Sequence, residues 1–351
     1  MEKFSQFRDR GSGVSPFMPH TSSSSAAARL LHIGLFTFRL PFLLAYTAFY
    51  FLLAANIPFL PQALQKLLTW GFLGIPWIIW GDLQLDGVKR GSLSQQPPER
   101  MPGAPPASVI AANLTSPVDA VYLAAVFDPI FTISYPHSRH VRRVGLFGAI
   151  WHALSPAQLR TTPSASSSSS SNLTTLADLI AANPRRVVAV FPECATTNGQ
   201  GILPFSPSLL TVPGNVKIFP VSIRYTSPDI ATPVPGAWFT FLWKLLSRPT
   251  HVMRIRIADA VYNTAGMING LRSEASASAS QASVDATGQH ARARTGAAGN
   301  RIGEGSDAHV SAEEQRVLDR VAENLARLGR NKRVGLTVED KARFVEAWKK
   351  K

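Results

Sequence analysis

The sequence is short of acids and almost empty of cysteine. Its 351 residues include one cysteine, Cys194. That excludes an internal disulfide and is too few for a thiolate metal cage, so a reducing, cytosol-facing environment fits. Only 22 Asp and Glu stand against 36 Lys and Arg, a formal net charge of +14 with a pI of 10.4. Such a balance favours anionic partners, among them nucleic acid, an acidic membrane or a phosphorylated ligand. The basic residues are scattered, and neither zinc-finger spacing nor an aromatic RNA-binding motif is present, which argues against nucleic acid. A secretory leader is not expected either, because the first apolar run starts late and lacks a small-residue cleavage site.

What is present first is apolar length. Leu40–Leu60, "LPFLLAYTAFYFLLAANIPFL", is 21 residues without charge, enough for a helix to cross a ~30 Å hydrocarbon core. A second run, Leu67–Trp80, has 14 residues and carries Trp70, Trp77 and Trp80, which suit a membrane interface. Arg29 and Arg39 precede the first run, Lys66 lies between the two, and Lys89 and Arg90 follow. Charge on both flanks predicts an N-terminal membrane-embedded helical hairpin over 29–90 with both ends in the cytosol, after a cytosolic segment 1–28. The alternative is a buried helix pair in a soluble core.

Residues 91–107 read as a Pro/Gly-rich linker. From 108 to 272, apolar runs alternate with helical stretches. Strands are expected at Ser108–Asn113, Ile130–Tyr135, Arg186–Phe191, Val216–Tyr225 and His251–Ala260. Helices are expected at Pro117–Val126, Leu173–Ala182 and Trp238–Leu246. The alternation indicates an α/β layered domain. A serine tract at 163–171 and a Ser/Ala/Gly/Thr-rich stretch at 273–311 lack the apolar residues to offset chain entropy and read as disordered. Residues 312–351 read as C-terminal helices. Val317, Val321, Leu325 and Leu328 fall at helical spacing, and Thr337 to Asp340 resembles a capping box before a helix carrying Phe344, Val345 and Trp348 on one face.

Two polar turns follow strands. In "SVIAANLTSPVDA" a strand ends at Asn113, Thr115-Ser116-Pro117 turns, and Asp119 sits in the first turn of a helix. In "VVAVFPECATTNGQGILPF" a strand ends at Phe191-Pro192-Glu193, and Asn198, Gly199 and Gly201 bring backbone N–H groups within reach of an anion. Sites in open α/β sheets gather at the carboxyl ends of strands, so both turns are expected at one sheet edge. Each residue also has a plainer reading. Asp119 is favoured in any helix first turn, Thr115 or Ser116 is a ready N-cap, and Glu193 is a strand-end charge.

Together the turns resemble the glycerophospholipid acyltransferase family, whose members often carry Asn-His-x4-Asp and Phe-Pro-Glu-Gly-Thr motifs. The first stands here as Asn113-Leu114-Thr115-Ser116-Pro117-Val118-Asp119, the second as Phe191-Pro192-Glu193-Cys194-Ala195-Thr196. The opening "MEKFSQFRDRGSGVSPFMP" and the closing "LTVEDKARFVEAWKKK" are similar to the fungal lysophosphatidic acid:oleoyl-CoA acyltransferase branch, first tied to vacuolar protein sorting. The resemblance implies a layered α/β acyltransferase domain with a central mixed, largely parallel sheet. It implies acyl transfer from acyl-CoA, as co-substrate, to lysophosphatidic acid, giving phosphatidic acid at the endoplasmic reticulum and lipid droplet. It implies no resident cofactor or metal, membrane lipid as a partner, and no nucleic acid.

On that reading Asp119 is catalytic, and Asn113, Thr115, Ser116, Glu193, Thr196, Asn198 and Gly199 bind substrate. Arg142 and Arg143, from "HSRHVRRVG", are cations for phosphate, or else a basic membrane-facing loop. Where family members have the histidine that takes the acceptor's proton, this chain has Leu114. Three readings stay open: Asp119 or a water is the base, His137, His140 or His152 enters the site, or the domain only binds lipid. Cys194 and Ala195 replace the family glycine and threonine, and Cys194 reads as a packed residue rather than a nucleophile. Thr196 stands where many members have arginine, which removes a phosphate contact.

Overall fold

Short runs of β-branched and small apolar residues build an eight-stranded sheet, seen in a computed structural model that describes residues 2–20, 25–53, 57, 61–88, 100–103, 106–159, 173–265 and 310–350. In chain order the elements are α1 (Ala26–Leu52), α2 (Gln62–Gly74), β1 (Ile78–Leu85), β2 (Ser108–Ala112), α3 (Pro117–Phe127), β3 (Ile130–Ser134), β4 (Val141–Val144) and α4 (Leu146–Leu154). There follow β5 (Leu173–Thr174), α5 (Leu176–Ala182), β6 (Val188–Val190), β7 (Gly201–Ile202), β8 (Lys217–Tyr225), α6 (Trp238–Ser247) and β9 (His251–Ile257), then α7 (Ala312–Gly329), β10 (Lys332–Arg333) and α8 (Val338–Lys349).

The sheet order is β1-β9-β8-β2-β6-β3-β4-β5. Its centre, β8-β2-β6-β3, is parallel, and antiparallel β9 and β4 flank it. This is the mixed, largely parallel sheet that the family resemblance implies. The central strands are apolar on both faces because helices cover both. One face packs α3, α4, α6 and the end of α2; the other packs α5, α7 and a 3-10 turn at Pro207–Thr211. A third, smaller core joins Phe7 and Phe17 near the N-terminus to Cys194, Leu203, Phe344 and Val345. The five expected strands and three expected helices all form, with ends shifted by a few residues.

The N-terminal region differs from the expectation in two ways. The first helix begins near Ser25, whose side chain caps Ala28, and ends at Leu52 rather than spanning Leu40–Leu60. Alanines at 26–28 favour an early start, and neither Arg29 nor Arg39 interrupts it. The second run divides: α2 stops at Gly74, and Ile78–Trp80 join β1, paired parallel with β9. Pro76 has no N–H to extend the helix, Trp77 turns the chain at φ 57°, and β-branched Ile78 and Ile79 suit a strand. The basic segment after β3 is likewise not a loop but β4, antiparallel to β3. The serine tract, most of 273–311, positions 91–99 and 104–105 of the linker, Lys89, Arg90 and the end of the first apolar run lie outside the described residues.

Helices α1 and α2 pack as a pair: the Tyr46 hydroxyl donates to the Leu68 carbonyl, and Tyr50 meets Thr69 and Phe72. α1 has 27 residues, ~40 Å at ~1.5 Å per residue, and is long and apolar enough to cross a membrane. One of its sides is docked. Phe36 stacks near Phe239 and Trp243, and the buried Arg39 guanidinium donates to the carbonyls of Leu246, Arg248 and Pro249. These carbonyls close the C-terminus of α6, where orphan acceptors and the helix dipole favour a cation. The other side is bare, with Leu30, Phe38 and Leu52 exposed by 74%, 66% and 71%. Arg39→Leu leaves three carbonyls without their donor, that of Leu246 buried and those of Arg248 and Pro249 partly so. It is expected to lower stability by about 1–3 kcal/mol and to free α1 from α6, read as a lower melting temperature and faster proteolysis near residue 39 in detergent micelles.

Candidate active site

The first turn is built around a carboxylate out of contact with water. Asp119 is 0% exposed. Its Oδ2 accepts from Thr115 N at 2.7 Å, Thr115 Oγ1 at 2.9 Å and Ser116 N at 2.9 Å. Its Oδ1 accepts from the Tyr225 hydroxyl at 2.5 Å. Ser116 is the N-cap of α3 and Asp119 closes the capping box, so the plain reading of these residues is realised. Burial pushes the Asp119 carboxyl up to about 6, against the pull of its Tyr225, Thr115 and Ser116 hydrogen bonds. Burial also raises the Tyr225 phenol well above its usual value, the neighbouring Asp119 adding to the effect, so it stays protonated.

The second turn meets the first directly. Thr197 N donates to the Leu114 carbonyl at 3.1 Å. Glu193 is 0% exposed; its Oε2 accepts from the Leu203 backbone N–H at 3.2 Å, and the Leu114 backbone also favours its charged form. Its Oε1 has no partner. Burial lifts Glu193 to about 8, so at neutral pH it is largely a protonated acid. Cys194 follows at φ 56°, a left-handed position that suits glycine and strains a side chain. Its thiol is buried and its pKa pushed up, chiefly by desolvation, which makes it inert as a nucleophile.

The remaining residues divide by where their hydrogen bonds go. Asn113 spends its amide on both backbone groups of Ile223, locking β2 to β8. Asn198 donates to the carbonyls of Ser15 and Met18 and holds the N-terminal segment over the turn. Thr196 Oγ1 donates to Thr232 O, and Thr232 N donates to Thr115 O at 2.9 Å. Gly199, at φ 76°, lies against Thr115. Of these, Thr115, Asn198 and Gly199 line a cavity of about 150 Å³ together with Tyr225 and Arg224.

Arg142 and Arg143 do not act as a pair. As neighbours on β4 they point to opposite faces. Arg143 lines a separate cavity of about 610 Å³ with Lys66, Asp128 and Arg186, at the far end of α3, roughly 15 Å from the turn by helix rise. Arg142 is half-buried and, with Lys341, depresses the pKa of His152. Among the candidate histidines, His137 is exposed and 3.9 Å from Glu339, and His140 lies near Asp178. His152 is buried and pushed down to about 4, mainly by desolvation, which makes it a weak base.

Two side chains at the site are absent from the sequence-based set. Tyr225 is one. Lys341 is the other: 1% exposed, it donates from Nζ to Thr196 O and Thr196 Oγ1, both at 2.7 Å. Desolvation lowers it to about 7, while Glu193 pulls the other way. A signal for it existed. Lys341 precedes Phe344, Val345 and Trp348 by three, four and seven residues, which puts it on the same helix face. An ammonium therefore stands at Thr196, where family members carry arginine on the chain itself.

The raised pKa of Glu193 has a sign. Native protein holds the Glu193 proton up to about pH 8, whereas the unfolded chain releases it near 4.5. Its contribution is therefore complete below the unfolded value and is lost as pH rises through the folded one. Wild-type protein is expected to lose stability relative to Glu193→Gln as pH rises from about 5 to about 7. Melting temperatures of both proteins across that range check it. Below about 7, Lys341 is charged in both states and drops out of the comparison.

No family model matches the chain, and no solved structure matches it. It is 25% identical over 275 residues, 74% of its length and 84% of the relative's, to a Schizosaccharomyces pombe protein named "Putative lysophosphatidic acid:oleoyl-CoA acyltransferase". That similarity, over most of both chains, supports the acyltransferase resemblance carried by the Asn113–Asp119 and Phe191–Thr196 turns.

Proposed function

We propose that the protein is an acyl-CoA-dependent acyltransferase that moves a fatty acyl group, oleoyl by the relative's name, to the free hydroxyl of lysophosphatidic acid. The observation that carries this is the junction of the two turns, with Leu114, Asp119, Glu193 and Thr196 closed into one buried site at the carboxyl ends of β2 and β6. The acyl chain enters from the membrane side and CoA from the cytosolic side. The product, phosphatidic acid, feeds phospholipid and triacylglycerol synthesis at the endoplasmic reticulum and lipid droplet.

The missing histidine has a substitute in the Asp119–Tyr225 pair. Asp119 has no free edge, but Tyr225 lines the 150 Å³ cavity and is bonded to Asp119 behind it. The acceptor hydroxyl attacks the thioester carbonyl and gives its proton to the Tyr225 oxygen as the Tyr225 proton passes to Asp119. The tetrahedral intermediate collapses, the C–S bond breaks, and the CoA thiolate recovers the proton through the same relay. A carboxyl near 6 is better matched to this transfer than an exposed one near 4.

Membrane association follows from the bare side of α1, continued by exposed Phe147 and Trp151 on α4 and Trp238 and Phe239 on α6. These apolar side chains suit a helix pair lying in the interface beside its domain, on a bilayer or a droplet monolayer. Leu30→Ser/Phe38→Ser/Phe42→Ser is expected to cut flotation with anionic vesicles severalfold while leaving the melting temperature within a few degrees.

A second reading has one observation in its favour: all of Asp119's bonds are internal, as in a domain that binds lipid without turning it over. Single-turnover transfer from labelled oleoyl-CoA to lysophosphatidic acid separates the two. The relay predicts transfer by the wild-type protein and a loss of about 10²-fold or more in Tyr225→Phe. Transfer only in Leu114→His, or none with ligand still bound, supports the binding protein.

A further inference from the structure

On β8, Tyr225 and Ile223 face α3, so Arg224 and Ser222 face α7. The antiparallel register sets Arg224 opposite Arg254 and Ser222 opposite Arg256. α7 ends over this patch, and Arg330, in a left-handed C-cap at φ 52°, adds a fourth guanidinium. The result is a cavity of about 210 Å³ lined by Ser222, Arg224, Arg254, Arg256, Leu328 and Arg330, with four cations, one hydroxyl and no carboxylate.

Several arginines elsewhere in the protein have acids beside them: Arg139 with Glu314, Arg186 with Asp128, Arg248 with Asp229, and Arg327 with Asp86. Here two members are held by the end of α7, Arg224 donating to Gly329 O and Arg256 to Leu328 O, each at 2.9 Å. Each bond uses one nitrogen and leaves the rest of the fork to the cavity. Arg254 and Arg330 are exposed and have no hydrogen-bonding or ionic side-chain partner among the described residues. Like charges this close repel one another, and planar forks around one hollow match the oxygens of phosphate. Arg224 also lines the cavity that holds Thr115 and Tyr225, so the basin and the reacting site share a wall.

We propose that Arg224, Arg254, Arg256 and Arg330 form a binding site for the phosphate group of a substrate, seated so that the substrate's reacting end enters the adjoining Thr115–Tyr225 cavity. This rests on the acyltransferase reading, under which both the CoA donor and the lysophosphatidic acceptor carry phosphate. It assigns net positive charge to a specific contact, one that Arg142 and Arg143, on opposite faces of β4, do not supply.

The test is equilibrium binding by full-length protein in uncharged maltoside micelles at low salt. The probes are CoA, dephospho-CoA and glycerol 3-phosphate, and the variants are Arg254→Gln, Arg330→Gln and Arg320→Gln. Arg320 is exposed on α7 and removes the same charge outside the basin. The expected result is that Arg254→Gln and Arg330→Gln each weaken at least one probe about tenfold or more, with Arg320→Gln unchanged. A loss for CoA but not for glycerol 3-phosphate assigns the donor, and its 3′-phosphate where the loss is smaller for dephospho-CoA; a loss for glycerol 3-phosphate alone assigns the acceptor. The proposal is overturned if no probe binds wild-type protein, if binding survives both basin variants, or if Arg320→Gln weakens it equally. Acyl transfer measured on the same samples keeps the two readings apart. Transfer with basin-independent binding sinks this site and leaves the enzyme; basin-dependent binding without transfer does the reverse.

Discussion

A carboxylate cut off from water must collect donors or take up a proton, and Asp119 does the first so completely that it sets the geometry around it. Two backbone N–H groups and one hydroxyl come from the Thr115–Ser116 turn, which fixes the start of α3. The fourth donor is Tyr225, from the far side of β2. The turn, the helix and the strand β8 are thereby tied at one point. Glu193 meets the same demand the other way. With one backbone donor, the Leu203 N–H, on one oxygen and no partner on the other, it keeps a proton. Two acids of the same type, a few residues apart in space, end in different protonation states because their donors differ.

The sheet and the two turns were legible in the sequence because their cause is local. Continuous apolar runs such as Ser108–Ala112 declare a strand covered on both faces, and Ser116-Pro117 followed by Asp119 declares a capped helix start. The strands β1 and β4 were not. Ile78–Leu85 begins inside a tryptophan-rich apolar run whose composition suits a membrane edge equally well, and only pairing with β9 decides it. "VRRV" has too little apolar content to announce a strand, and its partner β3 supplies the reason for it. At the site, Asp119 and Glu193 were readable from their neighbours in the chain. Tyr225 and Lys341 were not placed there, since each arrives from more than a hundred residues away and its role exists only after the sheet closes.

The distribution of positive charge has the same non-local character. As a number, +14 says only that the chain attracts anions. The fold spends many of those cations on ion pairs and on the carbonyls at helix ends, as with Arg39 at α6 and Arg256 at α7. Strand register gathers three others, Arg224, Arg254 and Arg256, the last two from β9, onto the α7-facing side of the sheet. Alternation along a strand separates Arg142 from Arg143, and the same alternation brings Arg224 and Arg254 together.

The Glu193 turn is roofed by the two ends of the described chain. Asn198 holds Ser15 and Met18, Phe4, Phe7 and Phe17 ring Phe344, and Lys341 enters from α8. The bond from Gly335 N to Asp9 spans 326 positions. Contacts of such sequence separation form late, because the loop between them must close first. During synthesis the sheet and the Asp119 turn emerge well before the ammonium that completes the Glu193 side. A nascent chain therefore passes through an interval in which the domain is formed but its centre is uncovered, with Phe17 and Leu203 still waiting for their cover.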